Sequence, residues 1–229
     1  MHQERKFAIF LDIDGVFNHD STSTIEINKV IKEQINGDRY HAFRCDGCDI
    51  CSKAQAYLFD KSSVQCFEEL IEKINQVAQV HIILSSSWRL GRTVEQIKQI
   101  FNMYKFSEFI IDKTTEELSS FADWKDFCVV QHFDAKNGFP LEILANGDIN
   151  DSNYLNSLVH LTMRCRASQI KQWLHQHPGY ICYLIIDDYD EHLSQNFNDN
   201  FISTYHDSHF LLNSSDTQKA YQYFKSCIQ

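Results

Sequence analysis

The stretch Phe7 to Val16, Phe-Ala-Ile-Phe-Leu-Asp-Ile-Asp-Gly-Val, constrains this chain more than any other. Its apolar run, Phe7 to Leu11, is too short for an ordinary helix and suits a strand buried on both faces, as in a parallel sheet. Charge then ends the run. Asp12 and Asp14 leave the strand two residues apart, and Gly15 lets the chain turn sharply behind them. In open α/β sheets ligands bind at this end of the strands. Two neighbouring carboxylates repel each other unless a cation or a shared proton relieves them, which points to Mg²⁺ or to acid/base work. Taken alone, Asp-x-Asp-Gly is more often a solvated turn, so the rest of the chain has to decide.

Further apolar runs repeat the pattern. Val80–Leu84 reads as a second buried strand and ends at Ser85-Ser86-Ser87-Trp88-Arg89; Tyr180–Ile186 reads as another and ends at Asp187-Asp188. Phe109–Ile111 and Phe201–Tyr205 are shorter strand candidates. Between them, helical spacing is visible at Ile27, Val30, Ile31 and Ile35, and at Phe67, Leu70, Ile71, Ile74 and Val77, with Ser62 and Ser63 as candidate caps. Gly91 with Thr93 opens a helix through Tyr104. Ala167–His177 forms another, stopped by Pro178-Gly179, and Thr217–Ile228 closes the chain. Alternating strands and helices predict an α/β fold with a mainly parallel sheet.

Two stretches depart from this pattern. Residues 37–60 carry Cys45, Cys48 and Cys51 among acidic and aromatic residues and read as an inserted loop or small hairpin; residues 114–156 mix aromatics with turn signals. Three thiolates are one short of a structural zinc set, so His41 or Cys66 would have to complete it, and reduced cysteines are the default. With 229 residues the chain is long enough for one substantial core, and the expected organisation is a single domain, 1–229, carrying these insertions. The formal net charge of -10 disfavours a general nucleic-acid binder. Met1–Lys6 leaves no room for an apolar leader, and no run reaches membrane-spanning length, so the expectation is a cytoplasmic or otherwise soluble protein, with secretion into a host cell without a classical signal peptide as the alternative.

Strand then Asp-Ile-Asp-Gly-Val, strand then Ser-Ser-Ser-Trp-Arg, a basic helix start, then strand and Asp-Asp, in that order, resembles the haloacid dehalogenase (HAD) superfamily. The Ile-Leu-Ser-Ser-Ser-Trp-Arg run and Asp14–Asn18, Asp-Gly-Val-Phe-Asn, are similar to a small HAD-phosphatase subgroup. The resemblance implies a Rossmann-like three-layer sandwich without a large cap domain. It makes Asp12 the nucleophile that forms an aspartyl-phosphate and Asp14 the general acid/base. Ser85 would hold a phosphoryl oxygen. Asp12, the Asp14 carbonyl and Asp187 would hold Mg²⁺, with Asp188 in support. For the phosphate-binding cation, Arg166 best matches the subgroup pattern; Arg164 is in reserve, and Lys171 reads as a solvated residue in mid-helix.

A site with little cap is open to phosphate groups on macromolecules. Tyr40, Phe43, Tyr57 and Phe59 are then candidates for an apolar wall beside Asp12, or for the insertion's own core. The expected partner is accordingly a phosphorylated protein with phosphotyrosine favoured; an Asn-, Gln- and Lys-rich composition with few Gly and Pro suggests an AT-rich bacterial genome, and an effector-type phosphatase delivered into a host is one expectation for such a source. The alternatives are a small-molecule phosphatase, a phosphate-binding module without catalysis, and a phosphatase of nucleic-acid ends. The last arises because relatives of the subgroup look like domains attached to RNA-repair enzymes, and the acidic charge opposes it.

Overall fold

The computed structural model describes residues 5–18, 24–35, 49–115, 166–180, 182–189, 193–206 and 210–228. The chain divides into two compact units, Met1–Thr114 with His177–Gln229, and Thr115–Gln176. The first unit holds a five-stranded sheet of β1 (Lys6–Leu11), β2 (Gln79–Leu84), β3 (Ile110–Lys113), β4 (Cys182–Asp187) and β5 (Phe201–Ser203). Their order is β3-β2-β1-β4-β5, and every pairing is parallel. This is the Rossmann-like α/β architecture that the unbroken apolar runs predict, since strands covered on both faces cannot alternate with polar residues.

Strand β1 occupies the centre, and Phe7 through Leu11 are fully buried. Phe7, Ile9 and Leu11 point into the main core, where Phe7 meets Phe224 edge-on at 5.0 Å. On the other face Phe10 packs edge-on against Tyr183, and Tyr183 against Phe197. The helices of this unit are α1 (Thr24–Gln34), α2 (Asp49–Ala56), α3 (Lys61–Asn75), α4 (Val94–Ile100), then α6 (Leu193–Phe197) and α7 (Ser214–Ile228) after α5 of the second unit, among the described residues. Helix α3 buries Val64, Phe67, Leu70, Ile71 and Ile74, one apolar stripe at helical spacing, and packs against α7. Its cap is Asp60 rather than Ser62 or Ser63: the Asp60 carboxylate accepts from the Ser63 N–H at 2.8 Å and from the Ser63 hydroxyl at 3.0 Å. Helix α4 is shorter than its sequence signal, and Thr93 with Gln96 forms a capping box at its start.

The described part of the 37–60 stretch differs from a loop or hairpin, because residues 49–56 are helical. Ile27 and Ile31 of α1 bury against Cys51 and Ala54 of α2, which gives this short helix an apolar face that its own composition barely shows. Cys51 is thus a core residue, while Cys45 and Cys48 lie outside the described residues. Phe59 is also core: its ring packs on Phe17, Trp88, Phe101 and Tyr104, which removes it from the expected wall beside Asp12. Tyr40 and Phe43 lie outside the described residues. In the second unit the described residues are Thr115 and helix α5 (Arg166–Gln176), so most of the 114–156 stretch lies outside them. No helix among the described residues is long and apolar enough to cross a membrane.

Candidate active site

Parallel register sets the site. Leu11 pairs with Leu84 on one side and with Ile186 on the other, so the next residue of each strand, Asp12, Ser85 and Asp187, arrives at the same level of three adjacent strands. Two backbone bonds fix that level: Ser85 N–H donates to Leu11 O, and Asp12 N–H to Ile186 O, both at 2.9 Å. All three residues are buried, Asp12 at 4% exposure and Ser85 and Asp187 at 0%. Two buried acids this close are unfavourable unless positive charge accompanies them.

Asp12, Asp187 and Asp188 each offer a carboxylate oxygen, and these oxygens lie within 4.8 Å of one another. A set of hard oxygen donors in a buried cluster fits Mg²⁺ in both ligand type and charge. The backbone is shaped around it. Gly15 has φ +71°, and a Cβ built on it would lie 2.2 Å from Cγ and Oδ2 of Asp188, so glycine is required both for the turn and for the space that Asp188 fills. Asp187 also accepts the Tyr189 N–H at 2.9 Å, which closes the turn after β4.

The Asp14 carboxylate is engaged by two donors. The indole Nε1–H of Trp88 donates to its Oδ2 at 2.9 Å, and the Asn18 amide donates to its Oδ1, also at 2.9 Å. Each oxygen therefore has one fixed donor, which sets the plane and direction of the carboxylate. Trp88 is locked in turn by stacking on Phe101 at 5.5 Å and by Phe59 at 5.6 Å. The sequence reading assigns no role to the Trp88 indole or the Asn18 amide, and both of these bonds to Asp14 were missed. The signal lay in the two motifs themselves, since Asp-Gly-Val-Phe-Asn and Ser-Ser-Ser-Trp-Arg each carry one donor to the same acid.

The second motif is built around carbonyls. Ser86 caps the 3-10 turn Ser87–Arg89, accepting the Trp88 N–H. The buried Arg89 guanidinium donates to the carbonyls of Ser85, Ser86 and Thr114 and so ties the loop to the end of β3. Arg92 donates to Trp88 O, to Ser52 Oγ and to Asp49 Oδ1, which latches α2 onto the same loop. Amid this bonding, Ser85 Oγ is buried and has no hydrogen-bond partner among the described residues. Such a hydroxyl, on the strand end beside Asp12, suits a phosphoryl oxygen.

The cation candidates fall in the second unit. Arg166 is buried at the first position of α5; Lys171 is half-buried, and desolvation pushes its ammonium below the usual range, so it is less solvated than its mid-helix place suggested. Arg164 lies outside the described residues.

A family model described as "HAD domain in Swiss Army Knife RNA repair proteins" matches residues 8–211. The comparisons with curated proteins and with solved structures found no match.

Proposed function

We propose that this chain, which belongs to the family of HAD domains in Swiss Army Knife RNA repair proteins, removes terminal phosphate groups from RNA. The HAD assignment makes it a hydrolase of the phosphatase type. The observation that carries the catalytic reading is the division of labour between two acids on one strand end. Asp12 belongs to the acidic cluster with Asp187 and Asp188, while the Asp14 carboxylate takes the donors of Trp88 and Asn18.

In this reading an Asp12 carboxylate oxygen attacks phosphorus, the ester P–O bond breaks, and Asp14 gives its proton to the leaving oxygen. Water then attacks the aspartyl-phosphate, Asp14 takes up the water proton, and phosphate is released with Asp12 regenerated. Ser85 Oγ receives a phosphoryl oxygen, and Arg166, assigned from motif order, supplies fixed positive charge. Asp12 and Asp187, with Asp188 beside them and the Asp14 carbonyl, are the residues that would hold Mg²⁺, which when bound offsets the charge of acid and phosphate.

The family match supports an RNA end over a phosphoprotein. The phosphotyrosine expectation has lost one support, because Phe59 is committed to the core. The formal charge of -10 argues against long phosphate-backbone contacts, and recognition of one terminal phosphate does not require them.

The test is a substrate panel with Mg²⁺: oligoribonucleotides bearing 5′ or 3′ phosphate, phosphopeptides, nucleotides and sugar phosphates, each with wild type and Asp12→Asn. Phosphate release from RNA ends that vanishes in Asp12→Asn and with chelator is expected. Faster hydrolysis of a phosphopeptide than of every RNA end would remove the RNA reading. Release undiminished in Asp12→Asn would remove the mechanism, and no release from any substrate would leave a phosphate-binding module.

A further inference from the structure

Exposed aromatic rings gather at the catalytic end of the sheet. Tyr189 follows β4, and Tyr205 and Phe210 follow β5, with 36%, 49% and 38% of their surface exposed. The rings of Tyr205 and Phe210 touch, with centroids 4.9 Å apart and planes tilted by 53°. Large aromatic surfaces left in water at a catalytic rim call for an explanation in binding.

The backbone on both sides of this pair is pinned to the loop that carries Asp14. Thr204 Oγ1 donates to Gly15 O at 3.0 Å, and the Leu211 N–H donates to the same carbonyl at 2.9 Å. Thr204 N–H also donates to Asp187 O, and Leu212 N–H to Val16 O, both at 3.0 Å. Thr204 and Leu212 are buried, so two exposed rings are held between two buried anchors. The residues that carry the rings are therefore flanked by positions tied to the loop that carries Asp14. Counting Cα to Cα from Asp14 through Gly15 O and Thr204 Oγ1 to Tyr205, the separation is at most roughly 15 Å, from virtual bonds of about 3.8 Å, Cα-to-oxygen legs of about 2.4 Å and one hydrogen bond.

On the reading that the substrate is a phosphate-ended RNA, we infer that Tyr205 and Phe210 form a stacking surface for the bases next to the phosphorylated end. The family match favours this occupant over a phosphotyrosine peptide. Charge selects it too: with a formal charge of -10 the chain has no excess of cations for a phosphate backbone, and stacking is the contact that a short single strand can make without them. Tyr189, at the end of β4, extends the same rim.

The inference is tested by binding as well as turnover. In the Asp12→Asn background, fluorescence anisotropy of a labelled tetraribonucleotide bearing a terminal phosphate is compared with and without Tyr205→Ala and Phe210→Ala. A Kd weakened about tenfold or more by the double substitution is expected, with recovery when the rings are exchanged as Tyr205→Phe and Phe210→Tyr. In the active protein, the ratio of kcat/KM for the oligonucleotide to that for glycerol phosphate should fall by a similar factor. Binding should also depend only weakly on salt. An unchanged Kd, an equal loss for a phosphorylated abasic strand, or a larger loss for a phosphotyrosine peptide would overturn the inference. If the wild type releases phosphate from no substrate, the phosphatase reading falls, and the anisotropy titration still judges the stacking surface.

Discussion

Trp88 Nε1 donates to Asp14 Oδ2 at 2.9 Å, a bond between residues 74 positions apart that joins the first and second motifs through their chemistry. With Asn18 on the other oxygen, it fixes the direction of the Asp14 carboxylate, the acid/base of the proposed mechanism. Trp88→Phe keeps an aromatic ring on Phe101 and removes the donor. Because a positioned general acid contributes about 10²–10⁴-fold, its misalignment should lower kcat roughly tenfold or more for alkyl phosphates, whose leaving groups need a proton. p-Nitrophenyl phosphate, which leaves as a stable anion, should be affected far less. Equal losses on both substrates would mean that Trp88 acts through packing alone.

Gly15→Ala meets two obstacles at once. A side chain at φ +71° costs about 1–2 kcal/mol, and the new Cβ would displace the Asp188 carboxylate from 2.2 Å away. Both a lower Tm and a weaker response to Mg²⁺ should follow, the latter on the order of tenfold in the concentration for half-maximal activity. Asp188→Asn should reproduce the Mg²⁺ effect with little change in Tm. Measuring both quantities in both variants separates the strain from the charge.

Ser85→Ala makes a sharp case because its hydroxyl is buried without a partner. A hydroxyl serving only the fold would be missed little, and its removal should leave Tm unchanged or slightly higher. If the hydroxyl binds the phosphoryl group, kcat/KM should fall about tenfold or more at constant Tm. Full activity in a stable Ser85→Ala protein would remove Ser85 from the site.

Much of this arrangement could be read from the sequence because buried parallel strands are written as unbroken apolar runs. Phe7–Leu11 and Val80–Leu84 fall on β1 and β2, Cys182–Ile186 of the Tyr180–Ile186 run falls on β4, and the polar residue that follows each run arrives at one level by register. Helix α2 was not legible, because Asp-Ile-Cys-Ser-Lys-Ala-Gln-Ala has too few large apolar residues to show a stripe. It is held by tertiary contacts, the small apolar patch on α1 and the latch from Arg92. The clamp on Asp14 was hidden for a related reason. Periodicity reports which face is buried, and it carries nothing about which atom of a buried Trp finds an acceptor.

Arg92 tests that account of α2. Its guanidinium is buried and bonds Asp49 and Ser52 of α2 together with the carbonyl of Trp88. Arg92→Met keeps the apolar stem and removes the donors, leaving the exposed Asp49 solvated. Hydrogen bonds to charged groups contribute about 1.5–3 kcal/mol each, so a loss of about 2–3 kcal/mol in urea unfolding is expected. Amide exchange should rise first within α2, and exchange unchanged there would mean that the apolar patch alone holds the helix.

Acid reaches the fold through a histidine of the sheet. His81 on β2 is hydrogen-bonded through Nδ1 to the Tyr180 hydroxyl, and Lys6 stands over the Tyr180 ring at 5.9 Å. Burial first, and repulsion from Lys6 second, push the imidazole below its ordinary value of 6.5. Above 6.5 the imidazole is neutral in the folded and unfolded chains alike, so the native state keeps its full stability. As pH falls below that value, the unfolded chain takes up the proton before the folded one, and native stability declines until the depressed folded pKa is reached. His81→Gln keeps a polar group beside Tyr180 without the titration. Its Tm should therefore fall less than that of the wild type between pH 7 and pH 5, by a difference on the order of 1–3 °C. Parallel Tm curves for the two proteins over that interval would show that His81 does not contribute to acid sensitivity.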